Sequence, residues 1–194
     1  MARLFTAVEL TPSVRDAVVQ STVSLLRELD TEGPRRLRRV RSEHLHLTLV
    51  FLGEITEERV PAIIEAMSPP IALPMFDLTF TAPGTFPARG PARVLWLGIG
   101  EGREPLQHLH DEVGRRLERM GVETEARRFT PHLTLGRWPE RGGPILRARL
   151  TATSGIPPLR VSAVTLFRSY LRPSGPEHVP LLTTTLATAS DRLH

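Results

Sequence analysis

Two short stretches carry the residues best suited to chemistry: His46-Leu47-Thr48-Leu49 and His132-Leu133-Thr134-Leu135. A His-x-Thr pair inside an apolar alternation predicts a strand, because residues i and i+2 of a strand share a face. Imidazole and hydroxyl then stand together, while Leu47, Leu49, Leu133 and Leu135 face a core. One such strand means little, since a lone His beside a Thr is most often a hydrogen-bonded surface or core residue. Two copies lying side by side would bring two imidazoles and two hydroxyls to one cleft. Histidine can act as base or acid near neutrality, its reference pKa being about 6.5. A threonine hydroxyl, restricted at χ1 by its branched Cβ, can donate to a phosphate oxygen. Such a set can pass a proton on and off a phosphodiester: one group activates water, another protonates the leaving oxygen, and donors hold the non-bridging oxygens. Arg137, five residues after the second histidine, is a candidate clamp for the developing charge. A strained 2′,3′-cyclic phosphate needs no more apparatus than this.

The elements that must position these residues follow in chain order. Residues 3–9 alternate as a first strand, and Thr11 caps a helix with Pro12 in its first turn, where a missing N–H costs nothing. Val14, Val18, Leu25 and Leu29 give that helix one apolar face. Gly33-Pro34 ends the pattern, and the basic run Arg35-Arg36-Leu37-Arg38-Arg39-Val40-Arg41 leads into the first motif. A solvated loop is the common fate of such a run; a rim for an anionic chain is the alternative. The first motif strand, 46–52, precedes a helix capped by Thr56 with the stripe Val60, Ile63, Ile64 and Met67. Pro61 sits in its first turn. After a proline-rich crossover at Pro69-Pro70 and Pro74, residues 75–82 and 93–99 read as strands joined by a loop carrying Phe86 and Arg89. The longest helix, about 103–120, has the stripe Leu106, Leu109, Val113, Leu117 and Met120 and stops at Gly121. His108 and His110, two apart on that helix, diverge and are expected at the rim or in solvent. The second motif follows, then a short helix within 142–154 and strands at about 158–170 and 179–187. Each half thus holds strands, a helix and one His-x-Thr strand. The expected fold is α+β: one domain over residues 1–194, made of two pseudo-symmetric lobes, each an antiparallel sheet with helices outside, flanking a central cleft.

Composition narrows the class. The chain has no cysteine, so a disulfide framework, a thiol nucleophile and a thiolate metal site are all excluded. No apolar run reaches membrane-spanning length and no leader pattern opens the sequence, so the cytoplasm is the expected location. All 25 basic residues are arginine and the net charge is +4. Arginine suits phosphate and nucleic acid because its guanidinium forks onto paired oxygens. A GC-rich coding bias replacing Lys by Arg throughout accounts for the same composition.

At this point the residues resemble a known family, the 2H phosphoesterases, and within it the RNA 2′,3′-cyclic phosphodiesterases once called 2′-5′ RNA ligases. The likeness rests on Arg3-Leu-Phe-Thr-Ala-Val at the start, His44-Leu-His-Leu-Thr-Leu-Val-Phe-Leu-Gly-Glu54, and Phe129-Thr-Pro-His-Leu-Thr-Leu-Gly-Arg137. Leu166-Phe167-Arg168-Ser169, with Gly175-Pro176 behind it, is similar to the family's penultimate strand and turn. The resemblance implies a catalytic set of His46, Thr48, His132 and Thr134, with Arg137 on the phosphate, Phe51 against the nucleobase, and no metal or cofactor. It implies that His132 activates water and His46 protonates the O3′ leaving group, giving a 2′-phosphomonoester. The partners it implies are RNA 3′ ends or nucleoside 2′,3′-cyclic phosphates; no membrane partner and a monomeric chain are expected alongside. Two positions depart from the family pattern: Arg39-Val40-Arg41 where a Trp often stands, and His178 where a Tyr usually follows the Gly-Pro turn. Strand parity raises a further question, since in a regular strand Phe51 and Arg137 point away from the histidine face. Each reaches the cleft only where its strand ends, twists or bulges.

Three other readings share these residues. Ligation through a 2′-5′ bond is the same reaction reversed, with water's far higher concentration favouring hydrolysis. A non-catalytic RNA-binding module would keep the cleft but has no need of two titrating imidazoles. A metallohydrolase using His44 and His46 would need a carboxylate at ligand spacing, and none follows.

Overall fold

The computed structural model describes residues 1–29, 36–123, 128–139, 155–172 and 175–187. The breaker Gly33-Pro34 and the helix expected within 142–154 lie outside the described residues. In chain order the elements are β1 (Ala2–Glu9), α1 (Pro12–Glu28), β2 (Arg38–Arg39), β3 (His46–Ile55), α2 (Val60–Met67), β4 (Phe76–Leu78), β5 (Phe80–Phe86), β6 (Val94–Ile99), α3 (Arg103–Arg119), β7 (His132–Arg137), β8 (Leu159–Val161), β9 (Ala163–Arg172) and β10 (Gly175–Thr185). They build two four-stranded antiparallel sheets, ordered β10-β9-β1-β3 and β2-β7-β6-β5, with β4 and β8 paired separately.

The helices form where capping and stripe predict. Thr11 caps α1, its hydroxyl accepting from the Val14 N–H at 3.4 Å, with Pro12 in the first turn. Thr22 joins Val14 and Val18 on the buried face because its hydroxyl donates to the Val18 carbonyl at 2.7 Å, so no polar atom is left bare. Thr56 differs from expectation. It precedes a 3₁₀ turn, Glu57–Arg59, makes no side-chain cap to it, and α2 begins only at Val60 with Pro61 in its first turn. Buried residues of α1, α2 and α3, and the leucines of both histidine motifs, belong to one continuous core. The helices therefore lie on the leucine side of the sheets, opposite the histidines.

Two strand expectations are corrected. Phe86 ends β5 and does not lie in the loop, because Pro83 and Gly84 sit within an edge strand, where a missing N–H is tolerated. The run 75–82 is split, β4 leaving to pair with β8. The lobes are also not halves of the chain: β1 and β3 share a sheet with β9 and β10. The two His-x-Thr strands accordingly do not share a ladder. They sit in different sheets, with β3 at the edge of one approaching β7 of the other.

The parity question is answered by a bulge in each motif strand. Along β1–β3, Ala7 pairs with Thr48 but Thr6 pairs with Val50, so Leu49 is the extra residue, and Phe51 then pairs with Phe5. Along β6–β7, Trp96 pairs with Thr134 but Leu95 with Gly136, so Leu135 is extra and Arg137 pairs with Val94. Both strands show the same burial sequence, half-buried and buried in alternation, then two buried residues in a row, then an exposed one. One inserted residue shifts the alternation by one, and the fifth residue after each histidine returns to the histidine face.

Each bulge is held by a group from a neighbouring segment. The Val50 N–H donates to the buried Thr6 hydroxyl at 3.2 Å, a side chain replacing the lost ladder acceptor. In β7 the extra Leu135 offers its carbonyl to the Val40 N–H at 2.9 Å, just beyond β2. Gly136 makes room there, since a Cβ would stand 2.8 Å from Leu37 and 3.1 Å from the Arg38 carbonyl. Thr6→Val keeps the shape but strands a buried N–H. It should cost about 1–3 kcal/mol in urea unfolding, and an unchanged midpoint would show that the hydroxyl does not hold the bulge.

Candidate active site

The two histidines are held by the same device. At the start of β3, His46 Nδ1–H donates to the carbonyl of His44 at 2.7 Å; at the start of β7, His132 Nδ1–H donates to that of Thr130 at 2.6 Å. A carbonyl can only accept, so the neutral ring carries its proton on Nδ1 and leaves Nε2 as a proton acceptor. The 3₁₀ turn Ser42–His44 places the first carbonyl.

Each ring lies in an aromatic bed that sequence reasoning did not assign. Phe5 stacks on His46 at 5.0 Å between ring centres, and Phe167 lies 6.3 Å away; Phe5 and Phe167 pair directly across β1–β9. With Ala7 they form a small buried cluster separate from the main core. Phe86 meets His132 edge-on at 5.0 Å and Trp96 lies at 6.3 Å, its indole lying against Gly84, where no Cβ would fit. Aromatic residues in strands read as core, and only the pairing of distant strands shows that these serve the other face.

Thr48 and Thr134 stand two residues beyond the histidines, half-buried, and among the described residues neither hydroxyl has a protein partner. Phe51 is exposed, its ring 6.2 Å from Phe5. Arg137 has no ion-pair partner among the described residues. It is exposed as a residue, yet partial burial lowers its pKa. Its charge adds to the lowering of the pKa of both His46 and His132. Arg168, by contrast, is committed to Glu57 and lies over the Tyr170 ring.

His178 occupies the flank of His46, edge-on at 5.5 Å, with His44 a further 5.1 Å from it. Its Nδ1 is buried without a partner. His108 is exposed as expected, while His110 stacks on Phe129 at 4.2 Å and contacts Asp111. Among the described residues no group of three or more His, Asp or Glu is placed to hold a metal ion, and no helix is long and apolar enough to cross a membrane.

Burial pushes the His46 pKa down to about 4, against the hydrogen bond to His44, and the neighbouring charges of His178, His44 and Arg137 add to the depression. His132 is lowered too, first by burial and then by Arg137. The neutral-pH titration expected from the reference value is therefore displaced downward for the unliganded site. His46 is thus uncharged at pH 7.

Two antiparallel sheets, each presenting one His-x-Thr strand with a bulge behind it, define a paired-histidine α+β protein. The chain belongs to the 2′-5′ RNA ligase superfamily, whose sequence description matches residues 16–173. A relative from Archaeoglobus fulgidus named RNA 2′,3′-cyclic phosphodiesterase is 34% identical over 175 residues, spanning 90% of this chain and 94% of its own. Another of that name, from Methanothermobacter thermautotrophicus, is 33% identical over 181 residues, spanning 90% and 93%. The fold matches the crystal structure of Escherichia coli LigT complexed with 3′-AMP at a TM-score of 0.78 and 26% identity, covering 96% of this chain and 99% of that one.

The depressed His46 pKa has a stability consequence with a defined sign. Between pH 6.5 and about 4 the unfolded chain protonates this ring and the folded chain does not, so stability falls as pH falls through that window. Urea unfolding of the wild type should lose up to about 3 kcal/mol more across it than His46→Asn does. Parallel pH slopes for the two proteins would contradict the burial of an uncharged His46.

Proposed function

We propose that this chain hydrolyses 2′,3′-cyclic phosphate ends of RNA or nucleotides to 2′-phosphomonoesters by acid–base catalysis with His46 and His132. The observation that carries the reading is the repeated unit itself. Two strands from different sheets each present an imidazole with Nδ1 tied to a backbone carbonyl, an unpartnered hydroxyl two residues on, and the fifth residue returned by a bulge. The names of the relatives point to the same substrate class.

In the proposed reaction the cyclic phosphate lies between the two Nε2 atoms. His132 takes a proton from water as its oxygen bonds to phosphorus; the P–O3′ bond breaks, and His46 gives O3′ its proton. Nε2 is the reactive atom in both rings because Nδ1 is already engaged. The Thr48 and Thr134 hydroxyls donate to the non-bridging oxygens, and Arg137 meets the charge that builds on them. Phe51 offers the base an exposed aromatic face beside Phe5. An anion between the rings raises both imidazole pKa values, so substrate itself helps to load the acid.

Nucleoside 2′,3′-cyclic phosphate in excess chelator, with the 2′- and 3′-monophosphates resolved, tests the scheme. Turnover to the 2′-product should persist, and kcat/KM should decline above about pH 6.5 because both free-enzyme imidazoles titrate below that value. His46→Ala and His132→Ala should each lose about 10²–10⁴-fold. With a nitrophenyl ester, whose leaving group needs no proton, His46→Ala should be partly rescued and His132→Ala should not. Rescue of His132→Ala alone would reverse the roles, and a 3′-product would overturn the direction of cleavage.

A further inference from the structure

The second sheet carries a row of side chains on its histidine face that the proposed reaction uses only in part. Across its four strands the directly opposed residues are Arg38 on β2, Arg137 on β7, Val94 on β6 and Phe86 on β5. Directly opposed residues in an antiparallel sheet point to the same side. Phe86 touches the His132 ring, so the whole row lies on the histidine face. Arg39, the neighbour of opposite parity, turns the other way and donates to the Leu26 carbonyl on α1 at 3.0 Å.

Arg38 and Arg137 are thus like charges directly opposed, an arrangement that is destabilising unless something relieves it. Both are exposed, and among the described residues neither has an ion-pair partner. Arg38 stands one strand spacing, about 5 Å, to the side of Arg137, at the sheet edge. A planar guanidinium with free donors beside another is suited to consecutive phosphates of one chain, which a lone cyclic mononucleotide does not possess.

We propose that Arg38 is a second phosphate-binding residue. It holds the phosphodiester on the 5′ side of the terminal nucleotide, so that the site selects a polynucleotide end over a cyclic mononucleotide. This rests on Arg137 meeting the terminal phosphate, as in the function proposed above. It assigns part of the basic run before the first motif to the rim of the cleft, with Arg38 as its contributor.

The test compares wild type, Arg38→Gln and Arg38→Lys on uridine 2′,3′-cyclic phosphate and on a pentanucleotide ending in the same group. Arg38→Gln should lower kcat/KM for the pentanucleotide about ten-fold more than for the mononucleotide, the loss residing in KM. The slope of log kcat/KM against log salt should become shallower by about 0.7 for the pentanucleotide. Arg38→Lys should recover part of the loss, because it restores the charge but not the fork. Equal losses on both substrates would place Arg38 on the terminal phosphate or in the fold and overturn the proposal; no loss on either would do the same. Should wild type turn over neither substrate, the proposed activity fails by itself. Arg38 is then read by binding, with a labelled pentanucleotide 2′-phosphate against uridine 2′-monophosphate. Weakening confined to the pentanucleotide supports the assignment, and equal or absent weakening ends it.

Discussion

A strand shows alternate residues to opposite sides, and a site that needs residues two and five positions beyond a histidine cannot be built on a regular one. The structure meets that constraint twice, by the same means. One inserted residue, at the fourth position of each motif, returns Phe51 and Arg137 to the sides that His46 and His132 occupy. The insertions are held by unlike partners, a threonine hydroxyl on β1 and a backbone N–H just beyond β2. Equal geometry from unequal support suggests that the position of the fifth side chain matters more than the route to it.

The electrostatics of the site follow from its location. Both imidazoles lie against aromatic side chains of neighbouring strands in their own sheets, so burial holds them below the ordinary histidine value, and Arg137 adds a positive charge to which no described carboxylate answers. The site is thus short of negative charge. In the function proposed above the phosphate supplies it, accepts from the Thr48 and Thr134 hydroxyls, pairs with Arg137 and raises the pKa of both rings. His178 belongs to this balance, since it stands edge-on to His46 and titrates low for the same reason of burial.

Much of this was legible in the residues, and what was not has physical reasons. The duplicated tetrapeptide, the Thr11 cap and the stripes of α1 and α3 are local patterns, and local patterns survive in a sequence. The make-up of the two lobes is not local: β9 returns to pair with β1 across most of the chain, with β10 beyond it, so the lobes are not two consecutive halves of the chain. Phe86 was misplaced because Pro83 and Gly84 read as a loop, although an edge strand accepts both. The bulges left a faint trace, two apolar neighbours at Leu49-Val50 and a Leu135-Gly136 step, but their cause sits on other strands. Phe5 and Phe167 could be recognised as strand residues, while their service to His46 required the β1–β9 register.

The central claim is that two imidazoles, each locked as the Nδ1–H tautomer by a backbone carbonyl, attend one phosphate. Long-range ¹H–¹⁵N NMR of the histidine rings, titrated with pH in the absence and presence of uridine 2′-monophosphate, addresses it directly. The account predicts Nδ1–H for His46 and His132 when neutral, titration of both below pH 6.5 in the free protein, and an upward shift of both with ligand. An Nε2–H tautomer at either ring, or a ligand that moves one titration and leaves the other in place, would contradict it.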